Sequence, residues 1–296
     1  MIPFEIPPKN PRTILKKAHR FAKKSLGQHF LFHPDIPYEI VKRSGVTNMD
    51  HVIEIGPGLG ALTLPLCKYA KKIIAIDIDS HLLNLLSTEL DNKEIGNVEL
   101  IHGDILKMPF DKVMTQNAFL PKTQGRWLVM GNLPYHISSQ IIVKLIKERK
   151  MISQAIVMLQ KEMAERIKSK PGSKAYGRLS VMLQYCSTIR TMINIKGSDF
   201  FPRVKVDSQV IQVQFHNKID KPVHNEHALF KVVKAAFGKR RKTINNALRG
   251  GLSYDASHIT EALKQADINP IRRAETLSVN DFVNLTNALD SIYDEL

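Results

Sequence analysis

An amide, an aliphatic residue, a proline and a phenol stand in a row at Asn132, Leu133, Pro134 and Tyr135, directly behind the apolar run 126–130. That order suits chemistry on a planar amine. The lone pair of an adenine exocyclic nitrogen is conjugated into the ring, so the nitrogen is a poor nucleophile. Two acceptors that bind its N–H groups favour a tetrahedral nitrogen. The Asn132 side-chain carbonyl and a backbone carbonyl of the same turn supply them, and Pro134 fixes its own φ and restricts Leu133 so that the carbonyls point one way. Tyr135 offers a flat face to a base, an interaction worth about 1–3 kcal/mol in single-strand binders. With a sulfonium methyl as electrophile the leaving group is a neutral thioether. Positioning and electrostatics then suffice, with neither a metal nor a strong general base.

A second candidate lies upstream in EIGPGLGALT, residues 54–63, which follows one expected strand and opens an expected helix. Gly56, Gly58 and Gly60 permit a tight turn and close approach of backbone to a ligand at the carboxyl end of a strand. Asp77, near the end of the next strand, could take ribose hydroxyls. This loop leaves a nicotinamide dinucleotide and S-adenosylmethionine near even, since both want the same acid. Asp104, just past the third strand, favours the second reading in part, because a carboxylate there can accept from an adenine amine; its plainer role is a turn aspartate after Gly103.

Positioning these residues requires a sheet. The runs at 51–55, 72–76, 97–101, 126–130 and 154–159 read as strands buried on both faces, separated by segments such as 80–90 and 138–148 with apolar residues at helical spacing. Alternation of this kind predicts an α/β fold, a parallel sheet with helices on both faces. The runs 191–195 and 209–215 have no long helical pattern between them and should pair antiparallel at one edge. A polar connector at 217–225 then leads into helical patterns only. The expected organisation is a flexible basic tail over 1–24, an α/β domain over 25–217 and a small all-α domain over 218–296. Residues 111–125 read as a polar loop inserted before the fourth strand.

Composition narrows the partners. The 296-residue chain carries a net charge of +15, and Ala228–Tyr254 holds no acidic residue while containing Lys231, Lys234, Lys239, Arg240, Arg241, Lys242 and Arg249. Clustered cations of this kind bind polyanions by releasing condensed counterions. Cys67 and Cys186 are the only cysteines, too far apart in sequence for a ligand pair, so no metal is expected. No run is long enough for a membrane span, and no secretory signal pattern is present. The cytoplasm is the expected location, with an organelle leader in the basic N-terminus as the minor alternative.

Taken in order, KKSLGQHFL (23–31), EIGPGLGALT, HGDIL, NLPY, QKEMAERI followed by YGRLSV, FFPRVKVDS and FGKRRKTINNAL (237–248) resemble the motifs of the small-subunit ribosomal RNA adenine dimethyltransferases, over about 23–278. The resemblance implies a class I, Rossmann-like fold, S-adenosylmethionine as cofactor, and dimethylation of two adjacent adenosines in the terminal hairpin loop of small-subunit rRNA within an immature subunit. It implies a monomer. It places Gln28, His29, Leu31, Glu54, Gly56, Gly58, Gly60, Asp77, Asp104 and Asn132 around the cofactor. Tyr135 and Phe200 would sandwich the target base. Lys205, Lys239, Arg240, Arg241 and Lys242 would contact RNA. Two residues depart from the pattern: Asp77 stands where glutamate is usual, and Val204 replaces the second proline of P-x-P-K. A large-subunit rRNA methyltransferase and a non-catalytic binding relative, of the kind found among mitochondrial transcription factors, share the core and are the alternatives.

Overall fold

The computed structural model describes residues 10–116, 127–239 and 241–294. Among these, the strands are β1 (Phe30–Leu31), β2 (His51–Ile55), β3 (Lys72–Asp77), β4 (Val98–His102), β5 (Trp127–Asn132), β6 (Ile152–Gln160), β7 (Ser187–Ile195), β8 (Phe200–Phe201) and β9 (Ser208–Phe215). The helices are α1 (Pro11–Lys17), α2 (Asp35–Ser44), α3 (Thr63–Leu66), α4 (Ser80–Asp91), α5 (Phe110–Gln116), α6 (Ser138–Lys147), α7 (Lys161–Lys168), α8 (Arg178–Cys186), α9 (Glu226–Ala236), α10 (Ile244–Arg249), α11 (Ala256–Gln265) and α12 (Val279–Asp294).

A seven-stranded sheet has the order β4-β3-β2-β5-β6-β9-β7. Strands β2, β3, β4, β5 and β6 pair parallel, and β9 runs antiparallel to β6. The central strands are mostly apolar because both faces are covered: Val52, Ile53, Ile73, Ile74, Val129 and Met130 are fully buried, with Glu54 the buried exception in β2. The chain builds outward from β2 through β3 to β4, then returns to the other side of β2 with β5. Strand order therefore reverses between β2 and β5, and ligands of open α/β sheets bind at the carboxyl ends beside such a reversal. Register makes this local: Ile55 lies beside Gly131, so the glycine loop after β2 and Asn132 at the end of β5 are neighbours. A Cβ on Gly131 would stand 2.5 Å from the Ile55 carbonyl oxygen, so only glycine permits that approach.

The chain divides into two units. The first comprises Met1–Ala164 and Ile189–Phe215, the second Glu165–Thr188 and His216–Leu296. The expected boundary near 218 thus omitted a segment: residues 165–188 pack with the C-terminal helices. Within the second unit Gly172 N–H donates to the Glu275 carbonyl at 2.7 Å, and the Tyr176, Phe237 and Phe282 rings follow one another at 6.1 and 5.8 Å. Helical spacing in α8 could not reveal which partner its apolar face would meet.

Two further expectations are corrected. From Asn10 onward the basic leader is ordered: the Asn10 side chain accepts from Arg12 N–H, Pro11 opens α1, and Leu15 is 3% exposed against Phe30 and Leu82. Burying one leucine contributes about 1.5–3 kcal/mol, enough to anchor a short helix. The inserted segment is also not all loop, since Phe110–Gln116 is helical and buries Phe110, Val113 and Met114; the remainder, 117–126, lies outside the described residues.

Candidate active site

One cavity at the carboxyl ends of β2 and β5 collects Gln28, His29, Leu31, Glu54, Gly56, Gly58, Asp77, Asn132 and Pro134. Gly56 and Gly58 have φ of +69° and +56°, a left-handed conformation that glycine adopts without strain. The Gly58 N–H donates to Asp77 Oδ2 at 3.2 Å and the Asp79 N–H to Asp77 Oδ1 at 2.9 Å. These bonds hold the acid at the end of β3 beside the loop. Burial raises the Asp77 pKa, and its backbone donors oppose the rise.

Glu54 carries the strongest electrostatic signal. It is 1% exposed, and its Oε2 has no hydrogen-bond partner among the described residues. Burial pushes its pKa up to about 8, Thr63 pulling it back in part and Asp77 adding to the rise. A dinucleotide pyrophosphate would keep this carboxyl neutral, since ionising it would set a second negative charge beside the phosphates. A cationic ligand group would give the orphan oxygen its partner. The loop motif is equally compatible with both ligands; the buried acid resolves the choice towards S-adenosylmethionine, which carries an ammonium and a sulfonium.

The N-terminal segment forms one wall. Asn132 Nδ2 donates to the His29 carbonyl at 2.9 Å. A carbonyl only accepts, so this bond fixes the amide orientation, and Asn132 Oδ1 is left without a protein partner among the described residues. In the turn that follows, the Pro134 carbonyl accepts from Ile137 N–H and the Tyr135 carbonyl from the Ser138 hydroxyl. The Leu133 carbonyl is unengaged among the described residues, which leaves it open as an acceptor. The Leu133 side chain is 1% exposed and its N–H donates to Met158 O at 3.2 Å, anchoring the turn to β6. Tyr135 shares a 2.6 Å hydroxyl hydrogen bond with the buried Ser208, and its ring lies 6.1 Å from the His29 ring at 21°. Burial raises the Tyr135 pKa, against the pull of Ser208.

Other expected residues sit differently. Gln28 lines the cavity, but its Oε1 accepts from Lys23 N–H and its Nε2 donates to Asp79 Oδ2, each at 2.9 Å, so the side chain fastens the wall. Gly60 lies outside the cavity lining; a Cβ there would stand 2.6 Å from Leu86, so it serves helix packing. Asp104 is likewise absent from the lining. Its Oδ1 accepts from Leu106 N–H at 3.0 Å, as in a turn, while the preceding Gly103 N–H donates to the Asp77 carbonyl at 2.9 Å. Phe200 is 1% exposed in the core with Leu31, Ile195 and Val210, and presents no open face to a base. Strand alternation turns the half-buried Phe201 the other way, towards Leu15, Phe30 and Leu82.

Asp79 was not anticipated. It is 4% exposed, caps α4 through His81 N–H, and binds both Gln28 and Lys23 Nζ, the latter at 2.9 Å. Burial alone would raise its pKa, but the Lys23 ammonium and the Gln28 amide hold it below the ordinary value. Its sequence context, a lone aspartate before a helix, announces only the cap. Val204 also has an account: its N–H donates to Gly197 O at 3.1 Å, a bond that proline at this position cannot make.

In the second unit Lys239, Arg241 and Lys242 are exposed, as is Lys205 in the first; Arg240 lies outside the described residues. Helix α9 buries Leu229, Val232, Val233, Ala235 and Ala236, which turns Lys231 and Lys234 outward. Those two lysines and Lys239 line one groove with Gly250 and Gly251.

Comparison with known proteins is consistent with this geometry. Residues 19–291 match the family model described as Ribosomal RNA adenine dimethylase. The chain is 44% identical over 284 residues to the ribosomal RNA small subunit methyltransferase A of Desulforapulum autotrophicum, covering 96% of this chain and 97% of that one. A solved dimethyladenosine transferase from Plasmodium falciparum superposes with a TM-score of 0.72 at 27% identity, over 86% of this chain and 95% of the other. The 23S rRNA methyltransferase ErmE superposes with a TM-score of 0.65 at 21% identity, over 88% and 99%, a likeness that reaches the fold alone.

Proposed function

Because the chain belongs to the ribosomal RNA adenine dimethylase family, we propose that it transfers methyl groups from S-adenosylmethionine to the N6 amines of two adjacent adenosines in the terminal hairpin loop of small-subunit rRNA. It acts on the immature small subunit, as a monomer in the cytoplasm. One observation carries the reading: the Asn132 amide, oriented by the His29 carbonyl, presents on the wall of the cavity that contains Glu54 an Oδ1 with no partner among the described residues.

When bound, S-adenosylmethionine supplies an electrophilic methyl on a sulfonium. Glu54 takes the ammonium, Asp77 the ribose hydroxyls, and the left-handed backbone at Gly56 and Gly58 lets the loop close on the ligand. Asp104 accepts from the cofactor adenine amine through Oδ2, which the turn does not use and which stands 3.8 Å from Lys107 Nζ. At the target, Asn132 Oδ1 and the Leu133 carbonyl accept the two N–H groups, holding the lone pair towards the cofactor. Tyr135, its hydroxyl held by Ser208, gives the base a ring to stack on. Phe200 closes a sandwich only if β8 shifts to expose it, so Tyr135 carries the stacking in the conformation described. Unpaired loop bases are the easiest to extrude, which fits a hairpin target.

The large-subunit alternative rests on a likeness confined to fold, and the non-catalytic alternative conflicts with the intact acceptor pair. The deciding experiment is transfer of labelled methyl from S-adenosylmethionine to unmethylated small subunits, large subunits and free RNA, with the product nucleoside identified. Dimethyladenosine in the small subunit alone is expected. Label in the large subunit would replace the reading, and binding without transfer would make the chain a scaffold.

For the second unit, changing Arg240, Arg241 and Lys242 together to glutamine is expected to weaken RNA binding and flatten its dependence on salt by about one unit of slope for each phosphate left unneutralised. Filter binding across a salt series checks this. An unchanged slope would make the segment a solvated face.

A further inference from the structure

Residues 6–34 contain no aspartate or glutamate, yet carry Lys9, Arg12, Lys16, Lys17, Arg20, Lys23 and Lys24. Within this stretch Phe21 is 89% exposed. The fold does not require it: Leu15 anchors α1, and Phe21 stands in solvent among cations. Arg12, Lys16, Arg20 and Phe21 line one depression whose far side is Phe201 and Pro202. Arg12 and Lys16 are four residues apart on α1, hence on one face. Arg20 uses one amine on His81 Nδ1 at 3.2 Å and keeps its other donors.

This depression adjoins the catalytic turn. His29 Nδ1–H donates to the Pro202 carbonyl at 3.1 Å, and the His29 ring is the one that lies against Tyr135. A strand entering with one base at Tyr135 would therefore carry its neighbour past Pro202. There it meets an exposed aromatic ring surrounded by cations, the combination that binds single-stranded nucleic acid through stacking and phosphate pairing.

We propose that the depression is a second base subsite, in which the nucleotide flanking the target adenosine stacks on Phe21 while Arg12, Lys16 and Arg20 hold its phosphates. The inference rests on the RNA methyltransferase reading and adds to it a site for substrate outside the catalytic pocket. Its test uses the full chain with unmethylated small subunits, measuring both equilibrium binding and steady-state transfer for the wild type, Phe21→Ala and Phe21→Trp. Phe21→Ala should weaken subunit binding and raise KM about tenfold, with unchanged kcat, cofactor affinity and Tm. Phe21→Trp should restore both. Changing Arg12, Lys16 and Arg20 to glutamine should flatten the salt dependence of binding. Wild-type binding and KM in Phe21→Ala would overturn the subsite, as would a role for Phe21 in binding anionic vesicles but not subunits. Absence of transfer by the wild type, with binding that still depends on an aromatic residue at position 21, would overturn the functional reading and leave the subsite standing.

Discussion

Replacing Asn132 by alanine is expected to lower methyl transfer by about a hundredfold or more, the usual cost of removing one group aimed at charge developing in a transition state, while cofactor affinity stays nearly unchanged. The asymmetry follows from the two ends of the amide. Nδ2 is committed to the His29 carbonyl, whereas Oδ1 has no partner among the described residues and is open to a substrate amine. The loss should therefore fall on kcat and kcat/KM together, the signature of an interaction made in the transition state. Asn132→Asp keeps an acceptor but sets a carboxylate against the His29 carbonyl, so it should not rescue activity. Isothermal titration with S-adenosylmethionine beside single-turnover transfer separates the two effects. A fall in affinity as large as the fall in rate would mean that Asn132 supports the cofactor wall and not the amine.

The difference between what was readable in the sequence and what was not lies in how each residue acts. The glycine loop and the 132–135 turn declare themselves because backbone conformation demands particular residue types there: positive φ at Gly56 and Gly58, fixed φ at Pro134. The parallel sheet was legible for the same kind of reason, since strands covered on both faces are apolar along nearly their whole length. Asp79 was not, because it acts across a gap of 51 residues, on Gln28, and no local pattern encodes that pairing. Phe200 and Phe201 show the limit of motif reading. Two adjacent aromatics on a strand face opposite ways, and only the pairing of β8 with β1 decides that Phe200 is the buried one. The grouping of 165–188 with the C-terminal helices depends likewise on partners that amphipathic spacing does not name.

Glu54 leads to the second large effect, and the sign can be worked out from its environment. Burial pushes its pKa up to about 8 in the folded protein, against roughly 4.3 for an unperturbed glutamate. A carboxyl raised in this way favours the folded state fully below its unfolded value. That contribution is lost as pH rises towards about 8, at up to roughly 1.4 kcal/mol per pH unit. By pH 7 the apo protein is about 3 kcal/mol less stable through this group. Glu54→Gln should accordingly flatten the decline in apo stability between about pH 5 and pH 8, which urea unfolding at stepped pH would show. Binding runs the opposite way. A ligand ammonium stabilises the ionised carboxylate, so the wild type should release close to one proton on binding S-adenosylmethionine at pH 7, and affinity should rise with pH until it levels near 8. Calorimetry in two buffers of different ionisation enthalpy counts that proton directly. In Glu54→Gln the release should vanish and affinity should fall by about a hundredfold or more, the loss of a buried charge pair. If the variant bound S-adenosylmethionine as tightly as the wild type, with the proton release intact, the cation would lie elsewhere and the orphan Oε2 would be a cost of the fold with no part in recognition.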